Sequence, residues 1–184
     1  MSAPATTRRP FAEQHALNRR AVARLWVALR FSGALEIIET DRDGNPVMSP
    51  PPDLDHDIRK DRIAKALQRL LPEGEAFVET AVSTFEGAKV PDACWIRAER
   101  REQLLSVPRG ERLSPIAPEV CVEVLSPDNS RSGIDSNQSA YFGVGVREVW
   151  ICDRDATMSF YGPQGRLERS AICPEVPRQV PAGG

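Results

Sequence analysis

Asp92 and Glu123 are the residues of this chain that point most directly to chemistry, because each is a carboxylate set in an apolar segment. A charge there is costly unless something binds it. Val90-Pro91-Asp92-Ala93-Cys94-Trp95-Ile96 reads as a short strand, and alternation puts Asp92, Cys94 and Ile96 on one face. Val120-Cys121-Val122-Glu123-Val124-Leu125 reads as a second strand, with Cys121, Glu123 and Leu125 on one face and Val120, Val122 and Val124 on the other. That pattern belongs to a strand covered on both sides, so Glu123 is expected to be buried or nearly so. A buried carboxylate must be paired with a cation, bound to a metal, or protonated. Two adjacent strands can bring both carboxylates to one divalent ion; the competing arrangement pairs each with an arginine.

The elements that would position them can be read from periodicity and breakers. Residues 1–10 are small, polar and basic, and are expected to be disordered. An amphipathic helix is predicted over 11–33, with Val22, Leu25, Trp26 and Leu29 at helical spacing. Its Arg19, Arg20, Arg24 and Arg30 form either a phosphate contact or an ordinary solvated face. Ala34 to Thr40 and Pro46 to Met48 read as a hairpin around Asp41-Arg42-Asp43-Gly44-Asn45. After Pro50-Pro51-Pro52, Asp53 or Asp55 can cap a helix carrying Ile63, Ala66, Leu67, Leu70 and Leu71 on one stripe. Two short strand-like pieces lie between Ala76 and Phe85, and a charged stretch of helix turn and loop separates the two carboxylate strands. A short helix is expected at about Asp135 to Phe142, with Ile134, Tyr141 and Phe142 facing inward. Val146 to Asp153 and Thr157 to Tyr161 then read as a strand pair, and the proline- and glycine-rich tail over 163–184 as poorly ordered.

Length and composition bound the answer more loosely. A chain of 184 residues fits one domain with extensions and an ordinary core. With 24 basic and 26 acidic residues, bulk charge neither announces nor excludes a nucleic-acid partner. The widely spaced Cys94, Cys121, Cys152 and Cys173 form no C-x-x-C pair and read as reduced core residues. Without a signal-like or membrane-length apolar stretch, the expectation is a cytoplasmic protein with no membrane partner. Ser126 lacks the Gly-x-Ser-x-Gly surroundings of a hydrolase nucleophile.

Several passages in combination resemble the PD-(D/E)XK nuclease superfamily, and more closely the Uma-type restriction endonuclease family. They are Met48-Ser49-Pro50-Pro51-Pro52 with His56 shortly after, Val90-Pro91-Asp92, Val122-Glu123-Val124-Leu125-Ser126-Pro127, and Tyr141 through Gly145-Val146-Arg147-Glu148-Val149-Trp150 to Asp153. The resemblance covers residues 34–162. It implies an α/β fold with a restriction-endonuclease-like core: a mixed central β-sheet flanked by helices, preceded by the N-terminal helix and hairpin. It also implies an endonuclease dependent on Mg2+ (or Mn2+) that hydrolyses phosphodiester bonds of nucleic acid, DNA first, and by analogy works as a homodimer. Asp92 and Glu123 would be the central metal ligands, with the Val124 backbone carbonyl as a further oxygen. Glu36, where similar proteins carry a carboxylate, would reach the metal or face solvent. His56 would contact phosphate or assist proton transfer, or serve only as a surface or capping residue.

The chain departs from that family at one position. The usual lysine, one helical turn before the tyrosine, is replaced by Asn137, which cannot supply positive charge or act as a base at neutral pH. Losing such a stabiliser in a dry site costs about 3 kcal/mol, on the order of a hundredfold in rate. Lys89, three residues before Asp92, and Lys60, on the helical face of His56, are the candidates to compensate if they are not simply exposed. Two functions stay open on the sequence: a metal-dependent endonuclease weakened by Asn137, and a degenerate nuclease fold that binds nucleic acid or protein without cutting.

Overall fold

The computed structural model describes residues 8–32, 39–48, 53–126 and 131–180, and for residues 29–32 and 131–132 the backbone alone. Helix α1 (Phe11–Ser32) is followed by a hairpin of β1 (Glu39–Thr40) and β2 (Pro46–Val47) and by α2 (Leu54–Leu70). Then come β3 (Gly74–Val78), β4 (Val82–Thr84), β5 (Gly87–Lys89), β6 (Ala93–Arg97), α3 (Ala98–Leu105) and β7 (Val120–Val124). The chain continues with α4 (Arg131–Gly143), β8 (Glu148–Cys152), β9 (Met158–Gly162) and β10 (Gly165–Leu167). Among the described residues no helix is long and apolar enough to cross a membrane.

Six strands form one mixed sheet in the order β10-β9-β8-β7-β6-β3, in which β7 and β8 run parallel and the other neighbours antiparallel. A parallel pair needs a crossover, and α4 supplies it. The pleat of β7 divides the core as the alternation requires. Val120, Val122 and Val124 pack with Ile63, Leu67 and Trp150 on the α2 side, while Cys121 packs with Tyr141 and Val149 on the α4 side. Helix α2 starts where Asp53 accepts a hydrogen bond from the His56 N–H at 2.8 Å, which puts His56 in its first turn.

A smaller unit packs α1 against the β1–β2 and β4–β5 hairpins. Here the expected apolar stripe is rotated: Ala21 and Val22 are buried, but Trp26 is 37 % exposed, with the Arg112 guanidinium 3.4 Å from its ring centroid. The buried face carries Gln14 and Asn18 instead. Asn18 donates to Ser83 Oγ at 2.9 Å and to the Thr84 carbonyl at 2.8 Å, so burying its amide leaves its donors satisfied. Of the arginines on this helix, Arg19 pairs with Glu111 at 2.6 Å. Gly87 turns the β4–β5 hairpin at φ +115°, and a Cβ there would lie 2.1 Å from the Thr40 carbonyl oxygen. Only glycine lets this turn settle on β1.

The chain beyond residue 162 differs from the loose tail expected of its composition. Gly165–Leu167 adds the edge strand β10, and Cys173 and Val180 join the core cluster of Trp150 and Phe160. The cause is Glu148, buried at the start of β8. Its carboxylate accepts from Trp150 Nε1 at 2.8 Å, Ser170 Oγ at 2.6 Å, and the N–H groups of Ala171 and Ile172 at 2.7 and 3.0 Å. Proline and glycine content says nothing about such an anchor. Replacing Glu148 with alanine strands these donors, a loss on the order of 3 kcal/mol. The expected result is a lower thermal midpoint together with protease cleavage between residues 163 and 180; an unchanged midpoint and an uncut tail would show that Glu148 does not hold this segment.

Candidate active site

Asp92 does not lie within a regular strand, as its apolar neighbours suggest, but in the bend just before β6. Pro91 lacks the N–H that would continue the ladder, so pairing with β7 begins only at Ala93, opposite Val122. The side chain fills the missing rung: Asp92 Oδ2 accepts a 2.7 Å hydrogen bond from the Val124 N–H. Leu125 donates to the Cys152 carbonyl on β8, so Val124, one residue earlier, turns its own N–H and carbonyl toward Asp92. The other carboxylate oxygen, Oδ1, is 3.2 Å from His56 Nε2. That contact raises the His56 pKa above its ordinary value against the effect of burial.

Glu123 lies on the α4 side of β7. Tyr141, fully buried on α4, donates its hydroxyl to Glu123 Oε1 at 2.7 Å, and Asn137 Nδ2 is 3.4 Å from the same oxygen. Asn137 is therefore where the sequence places the vacated cation, in contact with the half-buried Glu123 carboxylate. Burial pushes the Glu123 pKa well above the carboxylate range, and the negative charge of Asp92 pushes it further. The Tyr141 and Asn137 donors offset part of this, while Glu39 adds to it. No guanidinium pairs with either Asp92 or Glu123 among the described residues. Among the described residues the alternative of an arginine partner for each carboxylate is not realised.

Lys89, buried on β5, lies 3.6 Å from Glu39 Oε2, and Glu39 Oε1 accepts from the Val90 N–H at 2.8 Å. Glu39 belongs to the site's electrostatics, since its charge bears on both Glu123 and Tyr141. Sequence reasoning missed it and named Glu36, which lies outside the described residues. Either glutamate fits a strand in that apolar run, and only the tertiary fold distinguishes them. Tyr141 was expected to face inward, but its hydroxyl partner was not foreseen. Lys60 does not turn toward Asp92: its ammonium donates to Asp57 Oδ1 at 2.8 Å and to Glu79 Oε1.

Among the described residues no set of three or more His, Cys, Asp or Glu side chains is arranged to hold a metal ion. Magnesium, however, keeps several waters and takes only one or two protein carboxylates. Asp92, Glu123 and the Val124 carbonyl are oxygen donors of the kind a hard dication prefers. Their mutual repulsion is also what such a charge would relieve.

A family model for Uma2, described as "Putative restriction endonuclease", matches residues 28–179. The chain belongs to the Uma2 family. The match runs through the anchored C-terminal segment and takes in both carboxylates. The fold is similar to the crystal structure of "a putative nuclease belonging to DUF820" from Anabaena variabilis ATCC 29413, with a TM-score of 0.61 and 20% identity over 75% of this chain and 84% of that one. At that identity the likeness is one of fold: an α/β restriction-endonuclease-like core with a mixed central sheet flanked by helices. No curated protein sequence matches the chain.

The raised pKa of Glu123 has a definite consequence for this Uma2 member. A carboxyl whose folded-state pKa lies above its unfolded value favours folding most at pH below the ordinary carboxylate range, and that contribution is lost as pH rises through the folded-state value. Glu123→Gln keeps an acceptor for Tyr141 and removes the ionisation. In metal-free protein at pH 8 the variant should be more stable by on the order of 1–2 kcal/mol, about 3–6 °C in the midpoint. The difference should shrink as pH falls through the raised folded-state value and be gone below about 4.3. Equal melting of the two proteins at pH 8 would mean that Glu123 is not held in a desolvated, like-charged place.

Proposed function

We propose that this Uma2-family protein is a metal-dependent endonuclease that hydrolyses phosphodiester bonds of nucleic acid, DNA foremost, with Asp92, Glu123 and the Val124 carbonyl as the ligands of Mg2+ or Mn2+. The observation that carries this reading is the Glu123 carboxylate, whose charged form is opposed by burial and by the Asp92 charge, with no cation beside it among the described residues. Apposed carboxylates destabilise the fold unless a function retains them. Bound there, the ion would supply charge neutralisation for a phosphoryl oxygen during in-line displacement.

The remaining work falls to the protein's own groups. The Val124 N–H and His56 fix the Asp92 carboxylate in one orientation, and Tyr141 does the same for Glu123. Held rigid, both acceptors need little reorganisation as charge develops. His56 Nε2, a proton donor beside Asp92, is suited to contact a phosphate oxygen or to pass a proton to the leaving oxygen. Lys89, buried beside Glu39, is the candidate to supply the positive charge that Asn137 does not.

One observation favours a second reading, a nuclease fold that binds nucleic acid or a protein without cutting it. Asn137 contacts Glu123 where a cation belongs, while Lys60 and Lys89 each face a carboxylate of their own. Plasmid nicking separates the two. Purified protein should nick supercoiled DNA with Mn2+ or Mg2+ and not with chelator, and Asp92→Ala or Glu123→Ala should each abolish it. Asn137→Lys should raise the rate, by on the order of a hundredfold if the full electrostatic benefit returns. Nicking that survives in both alanine variants would sink the enzyme reading; a wild-type chain and an Asn137→Lys chain both inert with metal would favour the binding module.

A further inference from the structure

Lys60 is buried in the middle of α2, 9 % exposed, with its ammonium set between Asp57 and Glu79. On one side it donates to Asp57 Oδ1 at 2.8 Å. That oxygen lies 3.7 Å from His56 Nδ1, and the far nitrogen of the same ring is 3.2 Å from Asp92 Oδ1. On the other side Lys60 donates to Glu79 Oε1. Glu79 lies in the turn after β3 with φ +50°, a left-handed conformation rare for a residue with a Cβ, and its N–H donates to the Asp92 carbonyl at 3.2 Å. Asp92 is therefore gripped at its backbone by Glu79 and at its side chain by His56, and the Lys60 ammonium ties the Glu79 grip to α2, the helix that carries His56.

We propose that Lys60 is a positioning residue: with Glu79 it locks the bend that carries Asp92 and keeps its carboxylate on the Val124 N–H, next to Glu123. The proposal rests on the nuclease reading for its functional meaning but not for its geometry. The Lys60 ammonium is buried while Glu79 and Asp57 reach solvent, so these pairs add little net stability, but an ammonium held between two acceptors fixes one geometry. A left-handed turn at a non-glycine residue likewise persists only where its surroundings hold it. The Lys60–Glu79 contact is the tie that joins this turn to the helix bearing His56.

Two variants test this in the full-length, metal-free protein. Lys60→Met keeps the apolar stem and deletes the charge; Glu79→Gly keeps the positive φ and the N–H and deletes the carboxylate. The readout is amide hydrogen exchange at Val124, whose N–H is bonded to Asp92 Oδ2, against Trp150 at the centre of the sheet. Val124 should exchange about tenfold faster in each single variant and no faster still in the double variant, with Trp150 unchanged. Unaltered exchange at Val124 would overturn the proposal, and so would an equal acceleration at Trp150, because Lys60 would then serve only global stability. In parallel, Mn2+ binding followed by electron paramagnetic resonance should weaken about tenfold in the same variants, and equal affinity in wild type and variants would also overturn it. A wild-type protein that takes up no Mn2+ would instead remove the nuclease reading and leave the exchange result standing.

Discussion

The repulsion between two carboxylates across the β6–β7 pair is the constraint to which the site is built. Glu123 is desolvated by the sheet and by α4, and Asp92 adds its negative charge from the neighbouring bend. Without a cation between them the fold must keep Glu123 protonated or bear the cost of an unpaired charge. The surrounding groups are neutral donors or a histidine: Tyr141 and Asn137 on Glu123, the Val124 N–H and His56 on Asp92. They orient the oxygens, and those on Glu123 leave its charge for something else to neutralise.

The topology delivers these groups to one end of the sheet. The parallel β7–β8 pair sends the chain through α4, which brings Tyr141 and Asn137 over Glu123. The antiparallel β6 starts at the end where β7 finishes, so Asp92 meets Val124. Helix α2 lies on the other face with its first turn at the same end, and the Asp53 cap fixes where His56 begins. Glu148 does comparable work elsewhere, closing the far side by anchoring residues 170–172.

Much of this was legible in the sequence because it follows from local periods. Alternation in 120–125 put Glu123 opposite the valines, and the structure divides its core along that same pleat. The spacing of Asn137 from Tyr141 is one helical turn, so both reach Glu123. What was not legible depends on contacts distant in sequence. The rotated face of α1 is decided by the acceptors that Ser83 and Thr84 offer Asn18. Glu39 joins the site through Lys89 and Val90, fifty and more residues away, and the tail is ordered by a single glutamate on β8. Lys60 reads as an exposed helix residue until Glu79 is seen beside it.

Paired in this way, the two carboxylates would form a seat for one divalent ion. Anomalous diffraction from crystals soaked in Mn2+ tests it without reference to substrate or rate. The expected result is a single anomalous peak beside Asp92 and Glu123, within reach of the Val124 carbonyl. A well-soaked crystal with no peak there, or with Glu123 still bonded only to Tyr141 and Asn137, would contradict it.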